Sequence, residues 1–275
     1  MNYDNRPIGV FDSGIGGLTV LKHLVRLMPE ERFVYLGDTA RVPYGNKSAE
    51  TVQLYARQCG AFLCKHDVKL IVVACNTASA LALDDLRAHM PVPVIGVIDP
   101  AARESIKATH NRRIGVIGTR ATVHSRAYES SIQSQSAEDE ITIHSVACPL
   151  FVPLVEEGWL TTPATRMIAD EYTRDLRQKN VDTLVLGCTH YPMLAGVLAE
   201  LMPDVTLIDC GACAAAEARA LIDPCKPTSS EPKITMFVTD HTPAFANLAQ
   251  QFLGFSVAEP GRVSIDNVFD HQEEA

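Results

Sequence analysis

Short runs of β-branched and aliphatic residues recur at 8–11, 33–36, 70–74, 94–98, 113–117, 141–146, 183–187, 205–208 and 234–238, each long enough for one buried strand. Between most of them lie stretches compatible with helix, at 17–28, 48–65, 78–89, 163–178 and 211–222. Strand and helix alternate almost throughout, which predicts an α/β fold of mainly parallel sheets flanked by helices and joined by crossovers. Residues 224–232, which hold prolines and serines, read as a surface loop, and the tail from Asp270 as frayed.

The runs also echo one another. Leu70-Ile-Val-Val-Ala-Cys75-Asn76-Thr77 and Thr183-Leu-Val-Leu-Gly-Cys188-Thr189-His190 share an apolar run, a small residue, a cysteine and then polar groups, at an offset of 113 (188 − 75). Pro7-Ile8-Gly9-Val10-Phe11-Asp12-Ser13 matches Arg113-Ile114-Gly115-Val116-Ile117-Gly118-Thr119 at an offset of 106 (114 − 8). A weaker pair joins Val94–Ala101 to Thr206–Ala212. Three pairs in one order predict two related α/β halves. If the runs are parallel strands, Cys75 and Cys188 each stand just past a strand's carboxyl end, where open α/β sheets bind ligands. Two thiols then face one pocket.

Composition narrows the function. The chain has 275 residues, enough for two modest domains or one large one, and is 47% hydrophobic. A formal net charge of −9 repels nucleic-acid phosphates and anionic membrane surfaces, so neither is an expected partner. The apolar runs are too short to cross a bilayer, and the polar N-terminal Met-Asn-Tyr-Asp-Asn-Arg carries no signal-like segment, which points to the cytoplasm. In that setting the eight cysteines are expected as thiols. Cys59 and Cys64 read as helix packing residues, and Cys148 and Cys225 as structural. Cys210-Gly-Ala-Cys213 forms a C-x-x-C, yet it lacks the second pair or the histidines of a structural zinc site.

Four polar loops come after apolar runs. Asp12-Ser13-Gly14-Ile15-Gly16-Gly17 is a glycine-rich turn into a helix, suited to an anion at the helix amino end, although its spacing fits no dinucleotide fingerprint. Gly37-Asp38-Thr39-Ala40-Arg41-Val42-Pro43-Tyr44-Gly45 is the second, and the two cysteine loops complete the set. A thiol has an ordinary pKa of about 8.5, so it gives and takes protons near neutral pH far more evenly than a carboxyl group. No lysine stands in a setting that suggests a Schiff base, so no cofactor is expected. Two thiols on opposite faces of a carbon can remove a proton from one side and return one to the other.

Taken together, Asp12-Ser13-Gly-x-Gly-Gly-Leu-Thr-Val, Gly37-Asp38-Thr-x-x-x-Pro-Tyr-Gly, Ala74-Cys75-Asn76-Thr77-Ala and Gly187-Cys188-Thr189-His190-Tyr-Pro resemble the motifs of the glutamate racemases, within the cofactor-independent Asp/Glu racemase family. The resemblance runs from about residue 7 to residue 222 and leaves the last fifty or so residues without a motif. It implies two pseudo-symmetric α/β domains with the active site in the cleft between them, and D-glutamate made for peptidoglycan in a bacterial cytosol. It also implies that Cys75 takes the proton from D-glutamate and Cys188 from L-glutamate, with Asp12 assisting Cys75 and His190 assisting Cys188. A further acid on the Cys188 side falls at Glu156, with the adjacent Glu157 as the alternative. Asp12, Ser13, Tyr44, Gly45, Asn76, Thr77, Thr189 and His190 are the implied substrate-binding residues, and no metal is implied. The expected division places residues 1–98 and 210–275 in one domain and 99–209 in the other, and a homodimer is the default assembly. Two other readings stay open at this point: aspartate racemisation, with the same acid–base logic, and a small-acid-binding protein that exchanges no proton. Zinc held by Cys75, Cys188, His190 and Asp12 is a third, for a hydrolase or lyase.

Overall fold

The computed structural model describes residues 3–136, 140–223, 233–241 and 245–266. The loop expected at 224–232, Cys225 and the tail from Asp270 lie outside the described residues. Ten strands occur among the described residues: β1 (Ile8–Asp12), β2 (Phe33–Gly37), β3 (Leu70–Val73), β4 (Val94–Gly96), β5 (Arg113–Gly118), β6 (Thr142–Ala147), β7 (Thr183–Gly187), β8 (Thr206–Asp209), β9 (Ile234–Val238) and β10 (Gly261–Arg262). They form two sheets, ordered β10-β9-β2-β1-β3-β4 and β6-β5-β7-β8, and every pairing is parallel.

The echo in the sequence is a duplicated topology. Strands β2-β1-β3-β4 of one sheet and β6-β5-β7-β8 of the other run in the same spatial order, so each echoed pair occupies equivalent strands. Central strands β1, β3 and β7 are buried along their whole length, which is why their sequences are unbroken apolar runs. Edge strand β6 is largely half-buried, and its run is interrupted by His144 and Ser145. The 94–98 run splits: β4 ends at Gly96, and Ile98 already begins the helix Ile98–Ala108.

One buried apolar cluster passes from the first sheet into the second through Ile8, Leu21, Val72, Val116, Leu184 and Ala214. At about 1.5–3 kcal/mol for each fully buried large aliphatic side chain, this shared core resists separation of the two sheets. The helix Leu18–Leu27 packs on the helix Cys210–Leu221, and His23 Nε2 lies 3.0 Å from Asp209 Oδ2. A second cluster, including Phe11, Leu36, Leu63 and Val73, fills the other face of the first sheet.

Helix starts carry the expected caps. Ser48, Thr119 and Thr162 each accept a backbone N–H three residues on, and Asp209 accepts those of Gly211 and Ala212. Cys75 takes the same position at the start of Asn76–His89, its sulfur 3.5 Å from the Ala78 N–H. A candidate reactive thiol is thereby fixed at a helix amino end by its own backbone.

Candidate active site

Loops at the carboxyl ends of both sheets enclose a cavity of about 600 Å³. Its wall includes Ser13, Tyr44, Gly45, Cys75, Asn76, Thr77, Glu156, Cys188, Thr189 and His190, so ten of the residues singled out in the sequence meet in one place. Asp12 is the exception. The Ser13-Gly14 turn folds over it, the Gly14 N–H donates to Oδ2 at 2.9 Å, and the carboxylate stands behind the wall at 1% exposure. Its Oδ1 is buried without a hydrogen-bond partner among the described residues. Burial raises its pKa, against the positive charge of His190 and the N–H groups of Gly14 and Gly17.

The two thiols have different surroundings. Cys75 Sγ lies 3.5 Å from Ser13 Oγ. Burial and the nearby Asp12 carboxylate push Cys75 up to about 12, against the hydrogen bonds of Ser13 and Ala78. Cys188 Sγ lies 3.9 Å from His190 Nδ1, and His190 Nε2 lies 3.0 Å from Glu156 Oε1. Burial disfavours the imidazolium, but hydrogen bonds to Cys188 and Glu156 outweigh it and hold His190 up at about 10. The ring is also braced by Phe252, edge to face at 5.4 Å. Helical phase separates the two candidate acids: Glu156 closes the helix Phe151–Glu156 and reaches His190, whereas Glu157 falls outside the wall.

The glycine-rich turn serves a close approach. A Cβ on Gly16 would stand 2.2 Å from Thr189 Oγ1 and 2.5 Å from His190 Cε1, so only glycine lets the second cysteine loop dock on the first sheet. Thr19 Oγ1 donates to the Thr189 carbonyl at 2.9 Å and pins that loop further.

Polar groups for an anionic ligand converge from both halves. Thr77 Oγ1 lies 3.0 Å from Thr119 Oγ1 and 3.3 Å from Thr122 Oγ1. Thr119 and Arg120 line the cavity and were missed in the sequence, although the echo places Thr119 opposite Ser13 and gave that signal. Tyr44 lines the cavity, but its hydroxyl turns away and donates to Asp38 Oδ2 at 2.5 Å. Apolar residues Val42, Leu150 and Val152 also line the wall, as does Tyr172.

The remaining cysteines stand apart from this arrangement. The seven described cysteines are free thiols, with Cys59, Cys148 and Cys210 buried. Among the described residues, no group of three or more His, Cys, Asp or Glu side chains is arranged to hold a metal ion, and no helix is long and apolar enough to cross a membrane.

Comparison with known proteins shows the family. Residues 8–218 match the family described as Asp/Glu/Hydantoin racemase. The glutamate racemase of Geobacter metallireducens is 44% identical over 270 residues, covering 95% of this chain and 97% of that protein. That of Syntrophus aciditrophicus is 46% identical over 263 residues, covering 94% and 97%. The crystal structure of Francisella tularensis glutamate racemase in complex with D-glutamate superposes with a TM-score of 0.89 at 38% identity, covering 96% of this chain and 99% of that one. With its duplicated sheets and two thiols in one cavity, the chain belongs to the Asp/Glu/hydantoin racemase family, on its glutamate racemase branch.

Proposed function

We propose that this protein interconverts L- and D-glutamate without a cofactor, Cys75 and Cys188 acting on opposite faces of the α-carbon. The observation that carries the mechanism is the pair of thiols in one wall, each backed by its own polar partner. In one direction Cys188 takes the α-proton of L-glutamate while protonated Cys75 gives one to the other face; from D-glutamate the roles exchange. His190, held by Glu156, supplies the positive charge a thiolate needs and keeps a proton close to Cys188. The Asp12 carboxylate, with an unpartnered oxygen, favours a substrate ammonium near Cys75. The Asn76 amide and the Thr77 and Thr119 hydroxyls receive carboxylate charge, which also stabilises the carbanion as it forms.

On the same reading the enzyme works in a bacterial cytoplasm, supplying D-glutamate to peptidoglycan synthesis, as a homodimer. The chain divides into residues 1–98 with 210–275, and 99–209. In support, β1–β4, β9 and β10 share one sheet while β5–β8 share the other. Two crossings of the chain then serve as hinges for closure over substrate.

Proton NMR in deuterated water tests the activity. The unsubstituted protein, with no added cofactor, exchanges the α-proton of either glutamate enantiomer and yields the opposite one. Cys75→Ser and Cys188→Ser abolish racemisation or confine α-proton exchange to one enantiomer. Exchange with aspartate alone would move the specificity to that acid. Binding without exchange would overturn the racemase reading.

A further inference from the structure

The two-thiol chemistry leaves a buried hydrogen-bonded chain behind the cavity unused. Cys210, the first cysteine of the C-x-x-C, is 3% exposed, and its Sγ lies 2.9 Å from Tyr128 Oη. Tyr128 is 1% exposed and donates to Asn76 Oδ1 at 2.6 Å. Proton counting sets the direction. The phenol has one proton, spent on the amide oxygen, which leaves the single thiol proton to be shared between the phenol oxygen at 2.9 Å and the Leu186 carbonyl at 3.3 Å. Burial raises both Tyr128 and Cys210 well above their ordinary values, so both keep these protons at neutral pH.

This chain decides which end of Asn76 faces the ligand. With Oδ1 occupied by Tyr128, the amide N–H groups are what Asn76 offers to the cavity it lines. A flipped amide would present an oxygen to a carboxylate and repel it. The sequence makes room for the arrangement at one residue. A Cβ on Gly187 would stand 2.6 Å from the Ile117 carbonyl oxygen and 3.0 Å from Tyr128 Cε2, whereas the echoed position in the first half is Ala74. Glycine before the second cysteine thus admits both the carbonyl of the neighbouring strand and the tyrosine ring that reaches across to the loop of the first.

We propose that Tyr128, oriented by Cys210, is a positioning residue that locks the Asn76 amide with its N–H groups toward a substrate carboxylate. The inference rests on the reading of the cavity as a glutamate site. It assigns the C-x-x-C cysteine a hydrogen-bonding task in place of redox or metal chemistry.

A double-mutant cycle read as steady-state racemisation from both enantiomers tests it. Tyr128→Phe should raise KM about tenfold, the worth of one good hydrogen bond, with kcat changed much less. In an Asn76→Ala background the same substitution should add nothing further. Cys210→Ser, whose hydroxyl can still donate to the phenol, should keep the unsubstituted KM, while Cys210→Ala raises it. The Cys210 pair keeps the test decisive if Tyr128→Phe folds poorly. An unchanged KM in Tyr128→Phe, or an equal effect with and without Asn76, would overturn the inference. If Asn76→Ala itself leaves KM unchanged while glutamate is still racemised, the inference falls and the racemase reading stands. If the unsubstituted protein does not racemise glutamate, both fall.

Discussion

Gly16→Ala separates a docking role for the glycine-rich turn from an anion-binding one. The backbone at Gly16 tolerates a side chain, so the effect comes from contact alone. The added methyl would meet Thr189 Oγ1 at 2.2 Å and the His190 ring at 2.5 and 2.6 Å, where ordinary contact begins at 3.4 Å. Neither neighbour can swing aside freely. His190 is held between Glu156 and Phe252, and the Thr189 carbonyl is tied to Thr19. The second cysteine loop must therefore retreat by about 1 Å, and a misplacement of that size costs roughly 100-fold in rate. Overpacking of this kind costs about 1–3 kcal/mol, against a usual total stability of about 5–15, so the variant stays folded. Polarimetric or circular-dichroism assay of racemisation from each enantiomer reads the outcome, with Gly196→Ala, where a methyl meets nothing within 4 Å, as control. A Gly16→Ala enzyme with unaltered kcat and KM would refute the argument. A higher KM with kcat intact would return the turn to anion binding.

Glu156→Gln should lower the titration midpoint of His190 from about 10, while Glu157→Gln leaves it in place, as read by NMR of the imidazole. Because folding raises the His190 pKa from 6.5, its stabilising contribution is complete below 6.5 and is lost as pH rises to about 10, so the thermal midpoint should fall across that window and fall earlier in Glu156→Gln. Lys69→Met should cost about 3–5 kcal/mol in urea unfolding, since Lys69 Nζ lies 2.7 Å from buried Glu31 Oε2, and Lys69→Met with Glu31→Leu should recover most of it. Tyr44→Phe should leave KM for glutamate unchanged yet lose about 1–3 kcal/mol of stability, because the hydroxyl serves buried Asp38; a large rise in KM would place that hydroxyl on the substrate.

The sheets were legible because parallel strands covered on both faces need unbroken apolar runs, and the duplication because echoed strands kept their order. The cysteine loops were legible for the same reason, since the end of a buried strand fixes where the next few residues stand. Contacts made by distant segments were hidden. Nothing local in Gly16 announces Thr189, and nothing in Asp12 announces that its own turn would fold over it. The stretch beyond residue 222 offers no motif, yet Phe252 braces His190 and Thr239 donates to Asp38 at 2.9 Å, the acid that holds Tyr44. Glu156 and Glu157 were indistinguishable until the phase of one six-residue helix pointed Glu156 at the imidazole. The two-residue strand β10 is too short to carry a pattern.

The two halves are alike in topology and unlike in electrostatics, and thermodynamics limits where that difference can appear. L- and D-glutamate have equal free energies in water, so kcat/KM must be the same in both directions at every pH, whatever separates the thiols. Cys75 is pushed up to about 12 by burial and Asp12, whereas Cys188 has a protonated imidazole 3.9 Å away. The free enzyme therefore holds the proton on Cys75, while the positive charge of His190 stands on the Cys188 side. That form is ready for the enantiomer whose proton Cys188 takes, and the other enantiomer must wait for a minor form, which weakens its apparent binding by the minor fraction. Equal kcat/KM then requires a matching rise in kcat for that second enantiomer. With Cys188 acting on L-glutamate, L-glutamate has the lower KM and the lower kcat. The reverse ordering would mean that Cys188 faces D-glutamate, so two steady-state curves assign each thiol to its face.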